Sequence, residues 1–171
     1  MEESVKEELK AEAGLNEKSL RSEIMRAFSL PPMEEGTYSP LVLAYLGDGV
    51  YEMVIRMLVV SAGNTQVNKL NNRATALVKA SAQAALIHAI AEDLDEEEAA
   101  VYRRGRNAKS YTVAKHATMS DYRHATGLEA LCGYLYLQGK YERLTALLKT
   151  GLLRAGLWTD PNGSEKTEPE A

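Results

Sequence analysis

The chain has 171 residues, 24 acids, 20 bases and a single cysteine, Cys132. That length fits one domain with tails, large enough to bury a core. One cysteine excludes an internal disulfide and suits a reducing cytoplasm. No run of 18 apolar residues suggests a membrane span, and the acidic start MEESVKEELKAEAG lacks the apolar stretch of a secretory signal.

The net charge of −4 is unevenly spread. Residues 1–35 hold nine acids against five bases and read as an acidic N-terminal extension. A weak helix around Ser19–Phe28 is expected there, ended by Pro31 and Pro32. Residues 159–171, rich in Pro, Glu, Ser and Gly, read as a disordered tail. The stretch between, 36–158, carries fourteen bases and eleven acids and reads as the functional domain.

Six helices are expected in that domain. Ser39 and Pro40 open the first, which runs to about Ala62 with Gly63 as its stop. Asn64 or Thr65 caps a second, with Val67, Leu70, Ala74, Leu77 and Val78 at helical spacing. A third covers roughly Ser81–Glu92. Asp95 and Glu98 form a capping box for a fourth that ends near Gly105. Residues 106–119 read as irregular and basic. Ser120 caps the fifth helix, which Gly139 closes, and the last runs from about Tyr141 to Gly156. No segment alternates with a period of two, so the fold class is all-α.

Two acids stand out. Asp48 interrupts SPLVLAYLGDGVYEMVIRMLVV, a segment apolar nearly all round and therefore expected at the centre of a core. Gly47 and Gly49 flank it, each costing a helix interior about 1 kcal/mol relative to alanine. They let another backbone or a ligand come close. Glu129 lies on or beside the buried side marked by Ala125, Leu128, Leu131, Cys132 and Leu135. The two acids either converge on one hard cation such as Mg²⁺, or each caps a loop or pairs with a buried base. Glu52 and Arg56 read as an ordinary pair one turn apart. His88 reads as a packing residue and Cys132 as a core side chain. The basic run 99–123, six bases against Asp121 alone, reads as a polyanion footprint or a solvated face.

These segments resemble a known family. LAYLGDGVYEMVIR (43–56) is similar to the signature helix of ribonuclease III domains, and GLEALCGYLYL (127–137) to that family's second acidic helix. RRGRNAKS (103–110) resembles the mark of the bacterial Mini-ribonuclease III branch, whose members lack a double-stranded RNA-binding domain. The resemblance spans roughly 38–156. It implies a ribonuclease III-type helical endonuclease domain over 36–158, acting as a homodimer on double-stranded RNA. The products would bear 5′-phosphates and two-nucleotide 3′ overhangs. It places Asp48 and Glu129 as catalytic Mg²⁺ ligands, and Arg104, Arg106, Asn107, Lys109 and Lys115 as candidates for RNA contact. Two further acids of the full-length enzymes fall on Ala44 and Thr126, which argues for fewer protein ligands and more water on the ion. The implied substrate is the 23S ribosomal RNA precursor, with a large-subunit ribosomal protein as a candidate helper. A non-catalytic RNA-binding ribosome-assembly factor on the same fold is the competing reading.

Overall fold

The computed structural model describes residues 19–34, 36–109 and 118–161. The chain divides into two units, residues 1–37 and 38–171. In the first, α1 (Leu20–Ala27) starts where Ser19 Oγ accepts from the Ser22 amide and ends before the two prolines; none of its residues is buried. Residues 1–18 and 35 of the acidic extension, and the tail from 162 onward, lie outside the described residues.

The second unit holds six helices, and no strand occurs among the described residues. Helix α2 (Pro40–Ser61) is capped by Ser39 with Pro40 at its first position. Helix α3 (Val67–Val78) starts after Gln66, two residues later than Asn64 would place it, and buries none of its residues fully. Helix α4 (Ala80–Ile90) follows directly, because extended Lys79 both ends α3 and begins α4. The two axes turn by 50° there. A short 3-10 turn, Ala91–Asp93, leads to α5 (Glu96–Asn107), whose capping box of Asp95 and Glu98 is formed in both directions. Helix α6 (Met119–Leu137) starts from Thr118, not Ser120: both hydroxyls suit an N-cap, and Thr118 Oγ1 receives the Asp121 amide. Gly139, at φ 68°, lets the chain turn into α7 (Tyr141–Arg154).

Helix α6 is the axis of the domain. Ala125 to Leu128 and Ala130 to Gly133 are buried without a break, because α2, α5, α4 and α7 all pack on it. The core joins Tyr51 and Ile55 of α2, Leu86, Ile87 and Ile90 of α4, Leu128, Leu131, Cys132 and Leu135 of α6, and Leu144 and Leu152 of α7. Tyr51 donates its hydroxyl to the Leu77 carbonyl at 2.7 Å, which satisfies the one polar atom of that side chain. Glu98, also buried, is held by Arg143 through two hydrogen bonds of 2.8 and 2.9 Å. That guanidinium keeps its carboxyl below the usual carboxylate range. The same arginine donates to the Asp93 carbonyl, tying α7 to the turn before α5.

One expectation about α2 is corrected. The helix is not enclosed on all sides: Ala44, Gly47, Val50, Tyr51, Ile55 and Val59 face the core, while Val42, Tyr45, Met53, Met57 and Val60 lie open. Tyr45 is 86% exposed and Met57 67%. Among the described residues no single helix is long and apolar enough to cross a membrane.

Candidate active site

Helices α2 and α6 cross at backbone contact. A Cβ on Gly47 would fall 1.6 Å from the Glu129 carbonyl oxygen, and one on Gly133 would fall 2.1 Å from the Leu43 carbonyl oxygen. Two glycines on facing helices thus let the two backbones touch. Asp48 is next in chain to Gly47, and Glu129 supplies the backbone that Gly47 touches. The charge of Asp48 is felt at Glu129, so the crossing leaves the two acids near one another. Among the described residues Gly49 has nothing near its missing Cβ, so of the flanking glycines only Gly47 is required there by a neighbouring backbone. Asp48 lies on the exposed side of α2, contrary to its expected place inside the core. Glu129 is half-buried.

The electrostatics follow from this proximity. Burial, then the charge of Asp48, pushes the Glu129 carboxyl up to about 7, against a lowering by its hydrogen bond from Gln83. Partial burial and the charge of Glu52 raise Asp48. Glu52 itself reaches Arg56 at 3.1 Å, the pairing expected from spacing. Among the described residues no lysine, arginine or histidine pairs with Asp48 or Glu129.

A pH dependence follows. An unfolded glutamate titrates near 4.5, so the folded chain holds an extra proton on Glu129 between about 4.5 and 7. That contribution to stability is complete below the lower value and is lost as pH rises through the upper one. Without metal, the melting temperature of wild type minus that of Glu129→Gln should therefore decline from pH 5 to pH 8. A flat difference would show that Glu129 is not strained.

The donor set fits a hard divalent cation. It consists of two carboxylates left unneutralised by the described side chains, one of them held near neutrality only at the cost of retaining a proton. No cluster of three or more His, Cys, Asp or Glu able to hold an ion occurs among the described residues. The positions Ala44 and Thr126 are buried and non-acidic, and Thr126 Oγ1 donates to the Tyr122 carbonyl. Two protein oxygens, with water and phosphate completing the shell, is an arrangement that Mg²⁺ accepts.

The basic segment lies at the end of α5. Arg104, Asn107 and Lys109 are exposed. Arg106 is half-buried, with its guanidinium 5.5 Å from the Tyr102 ring centroid and its Nε donating to Asn107 Oδ1 at 3.3 Å. No hydrogen bond or ion pair joins these four to Asp48 or Glu129. Lys115 lies outside the described residues. Sequence reasoning missed three features. Gln83 is buried in α4 and bonds Glu129. His88 is exposed, not packed in the core, and sets its ring against His124 at 4.3 Å, while His124 Nδ1 hydrogen-bonds with the Tyr102 hydroxyl. Residues 53–91 hold four bases and no acid, and Lys69, Arg73 and Lys79 are exposed on α3 and its end. The last signal was visible in the sequence as an absence of acids.

Comparison with known proteins gives the family. The Ribonuclease III domain family matches residues 41–140. Mini-ribonuclease 3 of Clostridium tetani is 51% identical over 112 residues, covering 65% of this chain and 74% of that protein. Mini-ribonuclease 3 of Enterococcus faecalis is 49% identical over 118 residues, covering 68% and 89%. A crystal structure of a Fusobacterium nucleatum protein superposes with a TM-score of 0.63 at 32% identity, covering 68% of this chain and 90% of that one. The chain thus belongs to the ribonuclease III family, in its Mini-ribonuclease 3 branch, and is an endoribonuclease.

Proposed function

We propose that the chain cuts double-stranded RNA with Mg²⁺ held by Asp48 and Glu129, and that it does so as a homodimer. The observation carrying this reading is the convergence of two unneutralised acids at the Gly47–Gly133 crossing. A bound Mg²⁺ supplies Lewis acidity toward a phosphate oxygen and makes water a nucleophile at neutral pH. The chain's own part is to hold that ion: Asp48 from the open side of α2, Glu129 from the half-buried side of α6. Two acids brought near one another with no neutralising base among the described residues suit a cation site better than a non-catalytic assembly factor, which needs no such pair.

The open apolar face of α2 supports the dimer. Val42, Tyr45, Met53, Met57 and Val60 are all exposed on the helix that carries Asp48 and Glu52, and large apolar side chains left open in such number suit an interaction surface. Two-fold pairing through it supplies one site for each strand of a duplex. Arg104, Arg106, Asn107, Lys109 and Lys115, with the exposed bases of α3, are the proposed phosphate and 2′-hydroxyl contacts. The biological substrate on this reading is the 23S ribosomal RNA precursor, in the cytoplasm, with a large-subunit ribosomal protein as the candidate helper.

Incubation with long duplex RNA and Mg²⁺ should give products with 5′-phosphates and two-nucleotide 3′ overhangs, and EDTA should stop the reaction. Binding measured in Ca²⁺ should weaken steeply with salt. Each of Arg104→Ala and Lys109→Ala should reduce the log–log salt slope by roughly one. Intact duplex after prolonged incubation of folded protein with Mg²⁺ would overturn the nuclease reading in favour of the assembly factor.

A further inference from the structure

Gln83 is the polar exception in α4. Its neighbours Ala82, Ala84, Leu86, Ile87 and Ile90 are buried hydrophobics, yet Gln83 is itself only 3% exposed. A primary amide taken out of water is costly unless its groups find partners. The Nε2 group donates to the Val78 carbonyl at 3.0 Å and to Glu129 Oε1 at 3.1 Å. A carbonyl and a carboxylate both accept, so the nitrogen must be the atom facing them. The Oε1 atom is buried with no partner among the described residues. A leucine would fill the same space without an orphaned acceptor. The amide is therefore held against its cost in core stability, and its one long-range hydrogen bond among the described residues is to Glu129.

The anchor at its other end is also built. Val78 ends α3, and the Leu77 carbonyl beside it accepts from the Tyr51 hydroxyl. The α3–α4 joint is thereby fastened to α2, and Gln83 extends from that fixed point to Glu129. No other hydrogen bond to the Glu129 carboxylate comes from the described residues.

We propose that Gln83 is a positioning residue for the nuclease reaction: its amide, clamped on the Val78 carbonyl, holds Glu129 by Oε1 and leaves the second oxygen to a hard divalent cation. This rests on the reading of Glu129 as a cation ligand. Groups that orient metal ligands in this way typically govern metal affinity or activity over about 10–100-fold.

The test uses the full chain and Gln83→Leu, close in size and lacking both donors. Mn²⁺ binding without RNA, followed by the electron paramagnetic resonance signal of the free ion, should weaken about tenfold. At fixed Mg²⁺, kcat on duplex RNA should drop by a similar factor while KM stays within about twofold. Raising Mg²⁺ should restore most of kcat. A core-packing role alone would lower the melting temperature without a metal-dependent rescue. Should Gln83→Leu fail to fold, Gln83→Met reads the same quantities; failure of both would assign Gln83 to the core and overturn the proposal. A folded variant with unchanged Mn²⁺ affinity and kcat overturns it too, as does a rise in KM at constant kcat. Glu129→Gln separates the two levels. Lost cleavage there beside a wild-type-like Gln83→Leu removes only the positioning role, whereas retained cleavage there removes the metal reading beneath it.

Discussion

Asp48→Asn is expected to lower duplex cleavage by at least about a thousandfold while leaving the melting temperature unchanged or raised. Asparagine keeps the shape of the side chain and removes its charge, so nothing is repacked. What disappears is the charge of one of the two carboxylates proposed to hold the ion. A thousandfold loss corresponds to about 4 kcal/mol of transition-state stabilisation, a reasonable share for an anionic ligand at a site with so few. The stability half of the prediction has the opposite sign from that of a structural acid. Asp48 makes no ion pair with a described residue, and its charge raises the Glu129 carboxyl. Removing it relieves repulsion. Were Asp48 the partner of a buried base, loss of the charge would destabilise the fold by roughly 3–5 kcal/mol. Cleavage of long duplex RNA and thermal melting, run on one preparation, decide between them: residual activity near wild type, or a melting temperature lowered by many degrees, would remove Asp48 from the site.

The local features of this fold were readable because they depend on local chemistry. Ser39–Pro40 opens α2, Asp95 and Glu98 box the start of α5, and Cys132 with its leucine neighbours marks the inner side of α6. The exposed place of Asp48 was not readable. An apolar helix surface left open has the same composition as one buried in its own chain, so apolarity all round α2 could not distinguish them. The Glu98–Arg143 pair was hidden for a different reason. Its members lie 45 residues apart, and only the nearer role of Glu98, in the capping box, has a spacing that sequence displays. Gln83 falls between these cases. One amide in ASAQAALIHAI is visible, but glutamine is an ordinary helix former. Its meaning arises only once α4 is packed against α6 and the side chain has lost its water.

The glycines give the second large effect, and they separate two roles that looked alike in sequence. Gly47→Ala should destabilise the domain severely, by more than about 4 kcal/mol, and Gly49→Ala should not. At Gly47 a methyl group would sit 1.6 Å from the Glu129 carbonyl oxygen, far inside any contact distance, and the obstacle is backbone. It cannot be relieved by a rotamer change; α2 and α6 must move apart. Because that crossing forms the most extensive helix pair in the domain, separation opens packing along Val50, Tyr51, Leu131 and Cys132 as well. Overpacking of an ordinary core costs about 1–3 kcal/mol, and here the clash is with a helix axis. At Gly49 the added methyl meets nothing among the described residues, and alanine's better helix propensity should contribute about 1 kcal/mol of stability to the folded chain. Urea denaturation of both variants measures the contrast. Any Gly47→Ala protein that remains folded should also lose cleavage, since the displaced backbone belongs to Glu129. Equal stabilities for the two variants would mean that α2 and α6 do not cross at Gly47, and the meeting of Asp48 with Glu129 would lose its structural basis.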